Sequence, residues 1–216
     1  MKPILLLLVL VSSTHFCVAQ NDTIAAAESQ FSIANPFSKA VIKLGGGYFL
    51  PQGELNTYFG PAPMFELAVE FPITARKKFE FAAQFIIPDQ REDFVYIRTV
   101  DTIQAKSTFM VNLMGRFKKD LLATVPSRLT LTIGVGTSVI MTNARNPFFS
   151  GQEGEKKYEY VSALLLQPGL SFEHRFSKDI KLLLGIDLQY SPYKIEGAVR
   201  EDIGNIALIP KVMLTF

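Results

Sequence analysis

Few residues of this chain are of types that catalyse reactions or bind metals. They are not spaced as a catalytic or metal-binding motif would require. The chain has two histidines and one cysteine in 216 residues, and the export signal described below would remove Cys17 and leave His174 as the only histidine. A zinc site needs several His, Cys or carboxylate ligands, and nucleophilic catalysis would need His174 as its base. The glycine run 45–47 is not followed by a helix, Lys or Thr, which a phosphate loop requires. The sequence therefore predicts no enzyme, no metal and no cofactor.

Composition and charge exclude several further classes. The chain is 48% hydrophobic and 19% charged, with 22 basic and 20 acidic residues. Near-balanced charge without a basic block argues against a nucleic-acid partner. Low charge together with eighteen Phe argues against disorder. The longest apolar run, residues 4–11, is far shorter than the roughly 20 residues of a membrane-spanning helix.

Residues 1–19 have the pattern of a secretory signal peptide, with a basic start, an apolar core and a cleavage site of small residues. Cys17 and Ala19 lie at positions −3 and −1 of a cut before Gln20. The residues that precede Cys17 do not fit a lipoprotein signal. The predicted organisation is a cleaved signal peptide at 1–19, a flexible N-terminal leader at 20–39 and one folded domain at 40–216.

From residue 40 onward, apolar and polar residues alternate with period two, which is the signature of strands with two unlike faces. The segments 65–71 and 129–137 are the clearest cases. Pro168 predicts disrupted pairing and a bulge or kink in its strand, and the glycine run 45–47 predicts a tight bend or close packing. The eight predicted strands are 40–50, 63–72, 79–87, 107–118, 128–140, 159–174, 180–190 and 204–216.

The connections between these segments alternate between long and short without exception. The long ones are 51–62, 88–106, 141–158 and 191–203, and the short ones are 73–78, 119–127 and 175–179. An up-and-down sheet with one elaborated end produces this alternation. An even number of strands near ten residues, with short turns on one side, is typical of bacterial membrane barrels. The predicted fold class is an all-β, eight-stranded, antiparallel, up-and-down transmembrane β-barrel.

The polar face of the predicted strands indicates that it lines the lumen and that the apolar face meets lipid. In the fifth strand this face is made of Thr, Gly and Ser between residues 130 and 138, which suits the crowded interior of an eight-stranded barrel. A Lys or Arg facing mid-bilayer would cost about 2–4 kcal/mol, and buried charges must pair. Ion pairing is therefore favoured over a glycosidase-like role for Glu66 and Glu70. The predicted luminal ion-pair network consists of Lys43, Glu66, Glu70, Glu80, Arg116, Asp187 and Lys211.

Aromatic residues concentrate at the predicted strand ends, as in the two girdles that flank the apolar band of a membrane barrel. Those near the short turns are Phe71, Phe79, Phe117, Phe172 and Phe216, and those towards the long loops are Tyr48, Phe65, Phe85 and Tyr190.

The chain resembles the small eight-stranded outer-membrane β-barrel proteins of Gram-negative bacteria, especially the OmpA/OmpX-like or PorT-like barrels of the Bacteroidota. The resemblance covers the whole chain, from the signal pattern to the last residue. In the ending 211–216, Val212, Leu214 and the terminal Phe216 resemble the signal read by the barrel-assembly machinery. Segment 47–60 resembles the first hairpin of the family. The resemblance implies an outer-membrane location, with membrane lipid and the assembly machinery as partners.

The leading hypothesis is a non-enzymatic outer-membrane barrel that acts as a structural wall, an anchor or a surface-contact protein. Loops 88–106 and 141–158 place aromatic residues between charges. This pattern favours strand extensions above the membrane, and the alternative is that a surface or envelope protein partner binds there. Three alternatives remain open: an accessory subunit of an envelope secretion machine, a narrow pore, and a soluble periplasmic lipocalin-like barrel that binds a ligand. In the lipocalin-like alternative the apolar face would point inward. An outer-membrane enzyme ranks last.

Overall fold

The structure of the protein, a computed structural model, describes residues 40–97, 102–145, 158–176, 180–195 and 198–215. Nearly all of these residues lie in strands, which are numbered in chain order. The barrel strands are β1 (Val41–Gln52), β3 (Ala62–Pro72), β4 (Lys77–Ile86), β8 (Ser107–Ala123), β9 (Ser127–Arg145), β10 (Tyr158–Arg175), β11 (Lys181–Tyr190) and β12 (Ile206–Thr215). The loops add helix α1 (Leu55–Tyr58) and the short strands β2 (Phe59–Gly60), β5 (Asp89–Gln90), β6 (Phe94–Ile97) and β7 (Thr102–Ala105).

The eight long strands form one closed antiparallel barrel in the order β1-β12-β11-β10-β9-β8-β4-β3. Strand β1 closes it, because Gly47 lies opposite Met64 of β3 on one side and opposite Lys211 of β12 on the other. Closure leaves no barrel strand with an unpaired edge. The predicted eight-stranded, up-and-down, antiparallel barrel is confirmed.

The two ends of the barrel differ as predicted. The short-turn end carries the connections 73–76, 124–126 and 176–180, and the long-loop end carries 53–61, 87–106, 146–157 and 191–205. Strands β8 and β9 run beyond their predicted ends, to Ala123 and Arg145.

Side chains alternate between the lumen and the outside along every barrel strand. In β8, Asn112 and Arg116 are buried in the lumen, while Leu113 and Phe117 are exposed on the outside. The alternation follows from the period of two residues in a strand, which sends neighbouring side chains to opposite faces. The apolar face is therefore the outer face, as the sequence analysis expected.

Pro168 does not produce the predicted bulge. Leu166 lies opposite Tyr190 and Gly169 lies opposite Asp187, so the register against β11 is the same on both sides of the proline. Pairing with β9 continues through Pro168 itself. Because proline lacks an N–H donor, the ladder towards β11 is interrupted at 167–168 while the ladder towards β9 holds the strand in register.

The glycine run 45–47 is a site of close packing between β1 and β12. A Cβ on Gly45 would overlap the carbonyl oxygen of Val212, and one on Gly47 would overlap that of Pro210. A Cβ on Gly46 would lie 3.3 Å from its nearest neighbour, the carbonyl oxygen of Met64. The alternative of close packing, rather than a bend, is the one that applies.

Several predicted features lie outside the described residues. They are the signal peptide with its cleavage residues Cys17, Ala19 and Gln20, the leader 20–39, Phe216, and the loop residues 98–101 and 146–157. Among the residues that are described, no helix is long and apolar enough to cross a membrane.

Candidate functional site: the barrel lumen

Arg116 lies at the centre of a charged cluster inside the barrel, here called the luminal network. Strand β8 directs this side chain inward, where it is 1% exposed. Its guanidinium donates through two nitrogens to Glu66, with Nη2 3.1 Å from Oε2. Nη1 also donates to Glu80 at 3.1 Å, and Nη2 donates to the side-chain oxygen of Gln167 at 2.7 Å. Two-nitrogen pairing with a carboxylate is among the strongest ion-pair geometries.

Lys211 joins the network from the closing strand β12. Its Nζ lies 3.1 Å from both carboxylate oxygens of Glu66 and 2.7 Å from the carboxylate of Asp187. Asp187 also lies 3.5 Å from Arg116. Two cations and two carboxylates therefore link strands β3, β8, β11 and β12 across the lumen.

Lys43 and Lys118 share Glu70 and Glu80. Lys43 binds Glu70 and lies 3.3 Å from Glu80, and Lys118 lies 2.8 Å from Glu80 and 3.2 Å from Glu70. With these pairs, the structure brings together all seven residues that the sequence analysis placed in the lumen: Lys43, Glu66, Glu70, Glu80, Arg116, Asp187 and Lys211.

Sequence reasoning missed three buried charged residues of the same network, Lys78, Lys118 and Asp120. Lys78 lies 3.7 Å from Asp120, and Asp120 accepts a hydrogen bond from Thr130 at 2.8 Å. All three residues continue the inward-facing alternation of their strands. They were missed because they fall at or beyond the ends of the predicted segments 79–87 and 107–118, although the period-two rule applied one step further would have found them.

A layer of neutral polar groups adjoins the charges. Asn112 donates to Gln84 and to Gln189, both at 2.9 Å. Ser138 donates to Asn112 at 2.5 Å and bonds the Tyr193 hydroxyl at 2.5 Å. The sequence placed Ser138 on the luminal face but predicted no hydrogen bonds among these residues, and their inward-facing positions were the available signal.

The long-loop end of the lumen is closed by apolar side chains. Phe49 and Ile209 of the barrel wall belong to one buried cluster with Phe59 and Phe94 from the loops. Tyr193 belongs to the same cluster, and burial raises the pKa of its hydroxyl, which favours the protonated form. At the rim there is a depression of about 250 Å³, lined by residues 52–54, 202 and 204–206.

His174 lies at the short-turn end of β10, opposite Ser127 of β9. Its Nδ1 is 2.8 Å from the Ser127 hydroxyl. Its ring packs edge-on against Phe176, with ring centroids 5.0 Å apart, and beside Phe172. Within the described part of the chain, no carboxylate contacts His174, so the pair lacks the orienting third group of a catalytic triad.

The chemistry of the luminal network is charge neutralisation. Within the described residues, each of its cations lies within 3.5 Å of a carboxylate oxygen. Paired charges avoid the large penalty of an isolated buried ion. Glu66, Glu70, Glu80 and Asp187 likewise each lie within 3.5 Å of a cation, and Asp120 lies 3.6 Å from Arg128 and 3.7 Å from Lys78. No group of three or more candidate metal ligands occurs in the same described ranges.

Solved structures are similar to this barrel. Neisserial surface protein A is similar with a TM-score of 0.57, over 82% of this chain and 95% of its own, at 8% identity. The chain has the fold of the eight-stranded outer-membrane barrels. Ail, the attachment invasion locus protein of Yersinia pestis, aligns over 82% of this chain and 97% of its own, at 11% identity and a TM-score of 0.43. No family model and no curated protein matches the chain.

Proposed function

We propose that this protein is a non-enzymatic integral β-barrel of the bacterial outer membrane, serving as a wall, an anchor and a surface-contact element. The inverted polarity of the barrel carries the proposal. Phe81 and Ile133 are 59% and 54% exposed on the outside, whereas Lys43 and Arg116 are each 1% exposed inside. A barrel dissolved in water would have the opposite arrangement, because apolar surface is favoured away from water.

Every barrel strand contributes to the apolar outer surface. Soluble monomers rarely expose contiguous apolar patches larger than a few hundred Å². A closed barrel also satisfies its backbone hydrogen bonds within the wall, as a bilayer requires. Membrane lipid is therefore the partner that fits this surface, whose exposed members include Leu44, Leu67, Phe81, Leu113, Val135, Leu164, Leu184 and Leu214.

The filled lumen supports a role without transport. The luminal network and the apolar cluster at the long-loop end occupy the interior, and eight strands enclose only enough space for side chains. This arrangement disfavours the narrow pore. The soluble lipocalin-like alternative requires an apolar face directed inward, and the structure directs it outward.

The surface-contact role is assigned to the long-loop end, in particular to loops 88–106 and 141–158. A surface or envelope protein partner would meet the side chains there. Assembly into the membrane would use the end of β12, where Val212 and Leu214 face outward at 48% and 42% exposure. An origin in the Bacteroidota and membership of the OmpA/OmpX-like or PorT-like barrels are also part of the proposal.

Heat-modifiability of the extracted protein tests the membrane barrel. We expect the protein in the outer-membrane fraction, released only by detergent, with different migration on SDS gels before and after boiling. Release in detergent-free buffer without a migration shift would overturn the proposal. We also expect planar-bilayer recordings to show no conductance steps. Steady channel openings would show that the protein is a pore and not a closed structural barrel.

Cysteine labelling in intact cells tests which end faces outward. The mature chain is predicted to have no cysteine, so a single introduced cysteine reports its own position. Val199→Cys at the long-loop end should react with a membrane-impermeant maleimide, and Val125→Cys at the short-turn end should react only after cell lysis. Both valines are exposed, at 64% and 86%, so the two variants are matched. If only Val125→Cys were labelled in intact cells, the short-turn end would face the cell exterior, opposite to the proposed orientation.

A further inference from the structure

Four lysines at the short-turn end form two cross-strand pairs between β4 and β8. Lys78 lies opposite Lys118, and Lys77 lies opposite Lys119. The first pair faces the lumen and is buried, and the second pair faces outward and is exposed. The two pairs are one residue apart on each strand, so they differ mainly in the face on which they lie.

The two pairs have different charge partners. Lys78 and Lys118 both lie within 3.5 Å of Glu70. Among the described residues, Lys77 and Lys119 have no carboxylate within salt-bridge distance, since the adjacent Asp120 is directed into the lumen. Like charges directly opposite each other on antiparallel strands are destabilising. An anion held between the two ammonium groups would offset this repulsion.

The position of Lys77 and Lys119 along the barrel axis indicates which kind of anion would bind between them. Phe79 and Phe117 lie opposite each other two residues towards the middle of the barrel, on the same outer face. Aromatic side chains of this kind mark the edge of the apolar band. Lysines just beyond that edge extend their ammonium groups to the headgroup level while their alkyl chains stay on apolar surface.

A third cationic residue adjoins the pair. Arg76 immediately precedes Lys77, and its carbonyl oxygen accepts a hydrogen bond from the Asp120 N–H at 2.8 Å. Its side-chain Nε is buried without a hydrogen-bond partner in the described part of the protein. The turn 73–76 therefore brings an additional positive charge to the end of β8.

We propose that Lys77 and Lys119 bind the phosphate of an anionic phospholipid in the leaflet at the short-turn end, with Phe79 and Phe117 contacting its acyl chain. The inference rests on the membrane barrel proposed above. A phosphate accepts from both ammonium groups at once and removes their repulsion. Such a lipid would fix the depth of the β4–β8 wall in the membrane.

Native mass spectrometry of the full-length mature protein in detergent tests this site. The protein is titrated with phosphatidylglycerol, phosphatidylcholine or inorganic phosphate. We expect retention of phosphatidylglycerol over phosphatidylcholine, with no competition from inorganic phosphate at equal concentration. Each lysine near an anionic membrane surface is worth about a five-fold change in affinity, so Lys77→Gln with Lys119→Gln should weaken phosphatidylglycerol binding by about 25-fold. Lys77→Arg with Lys119→Arg should keep it.

The matched control is Lys106→Gln with Lys194→Gln, which removes two exposed lysines at the long-loop end and should leave binding unchanged. Equal retention by wild type and the Lys77/Lys119 variant, or an equal loss in the control, would overturn the lipid site. Displacement of the lipid by inorganic phosphate would show that the two lysines form a simple anion site and not a lipid site. The boiled and unboiled gel is run on the same samples. A heat shift without lipid preference leaves the membrane barrel standing, whereas a missing shift in wild type removes both proposals.

Discussion

Replacement of Arg116 by methionine should destabilise the barrel by about 3–5 kcal/mol, because it leaves buried carboxylates short of one cation. The guanidinium contacts Glu66, Glu80 and Asp187. Methionine retains much of the aliphatic length of arginine, so the substitution removes the charge and the hydrogen bonds while it keeps most of the packing.

The ion pairs that remain in Arg116→Met indicate a loss of unfolding free energy in the lower half of this range of about 3–5 kcal/mol. Glu66 keeps Lys211 at 3.1 Å, and Glu80 keeps Lys118 at 2.8 Å. Because neither carboxylate is left without a cation, we expect the variant to lose about 3 kcal/mol of unfolding free energy. Adding Glu66→Gln to Arg116→Met restores equal numbers of positive and negative charges. This double variant should recover about 0.5–3 kcal/mol, the range of interaction energies between coupled neighbours.

Urea unfolding of the protein refolded into lipid vesicles measures these free energies. Circular dichroism is the suitable signal, because the chain has no Trp. The control is Arg91→Met, the same substitution at an exposed arginine that donates to Asn56. It should cost about 1 kcal/mol or less. A cost for Arg116→Met no larger than that of Arg91→Met would refute the reasoning.

Three further predictions concern the outer wall, the closing seam and the long-loop end. Val135→Lys places a charge on the lipid face and should cost about 2–4 kcal/mol in the same urea assay, whereas Val125→Lys in a turn should cost almost nothing; equal costs would contradict a lipid-facing wall. Gly45→Ala should cost about 1–3 kcal/mol, because its Cβ overlaps the backbone of β12, and Gly46→Ala should cost less; the reverse order would show that the seam is not tightly packed. Burial raises the pKa of Tyr193 above the ordinary value of 10.0, so its contribution to stability is present below pH 10 and lost as the pH rises through the higher folded-state pKa. Tyr193→Phe should therefore lose less stability than wild type between about pH 9 and 11, and identical pH profiles would exclude this contribution.

Most of the barrel could be predicted because strand alternation is a local property. Whether Leu113 or Arg116 faces the lumen depends only on its position within β8, once one face is known to be buried. The predicted segments stopped short of the true strand ends, where consecutive polar residues hide the alternation. Lys78 and Asp120 were missed for that reason.

The loops were less predictable. The connection 88–106 contains β5, β6 and β7, and the first of these pairs with β2 from another loop. Strands of two to four residues give too short a pattern to recognise. Pro168 shows a different limit, since the local rule predicted a bulge and a neighbouring strand kept the register.

The sequence by itself determined the number of strands, their two unlike faces and the set of charges that the apolar face excludes, since all of these follow from residue order and the period of a strand. Which charges pair was decided by tertiary structure. Lys211 and Glu66 are 145 residues apart, and they meet because closure brings β12 beside β1 and across the lumen from the other strands. Lys77 and Lys119 lie opposite each other on the outer wall because of the register between β4 and β8, which neither strand determines alone.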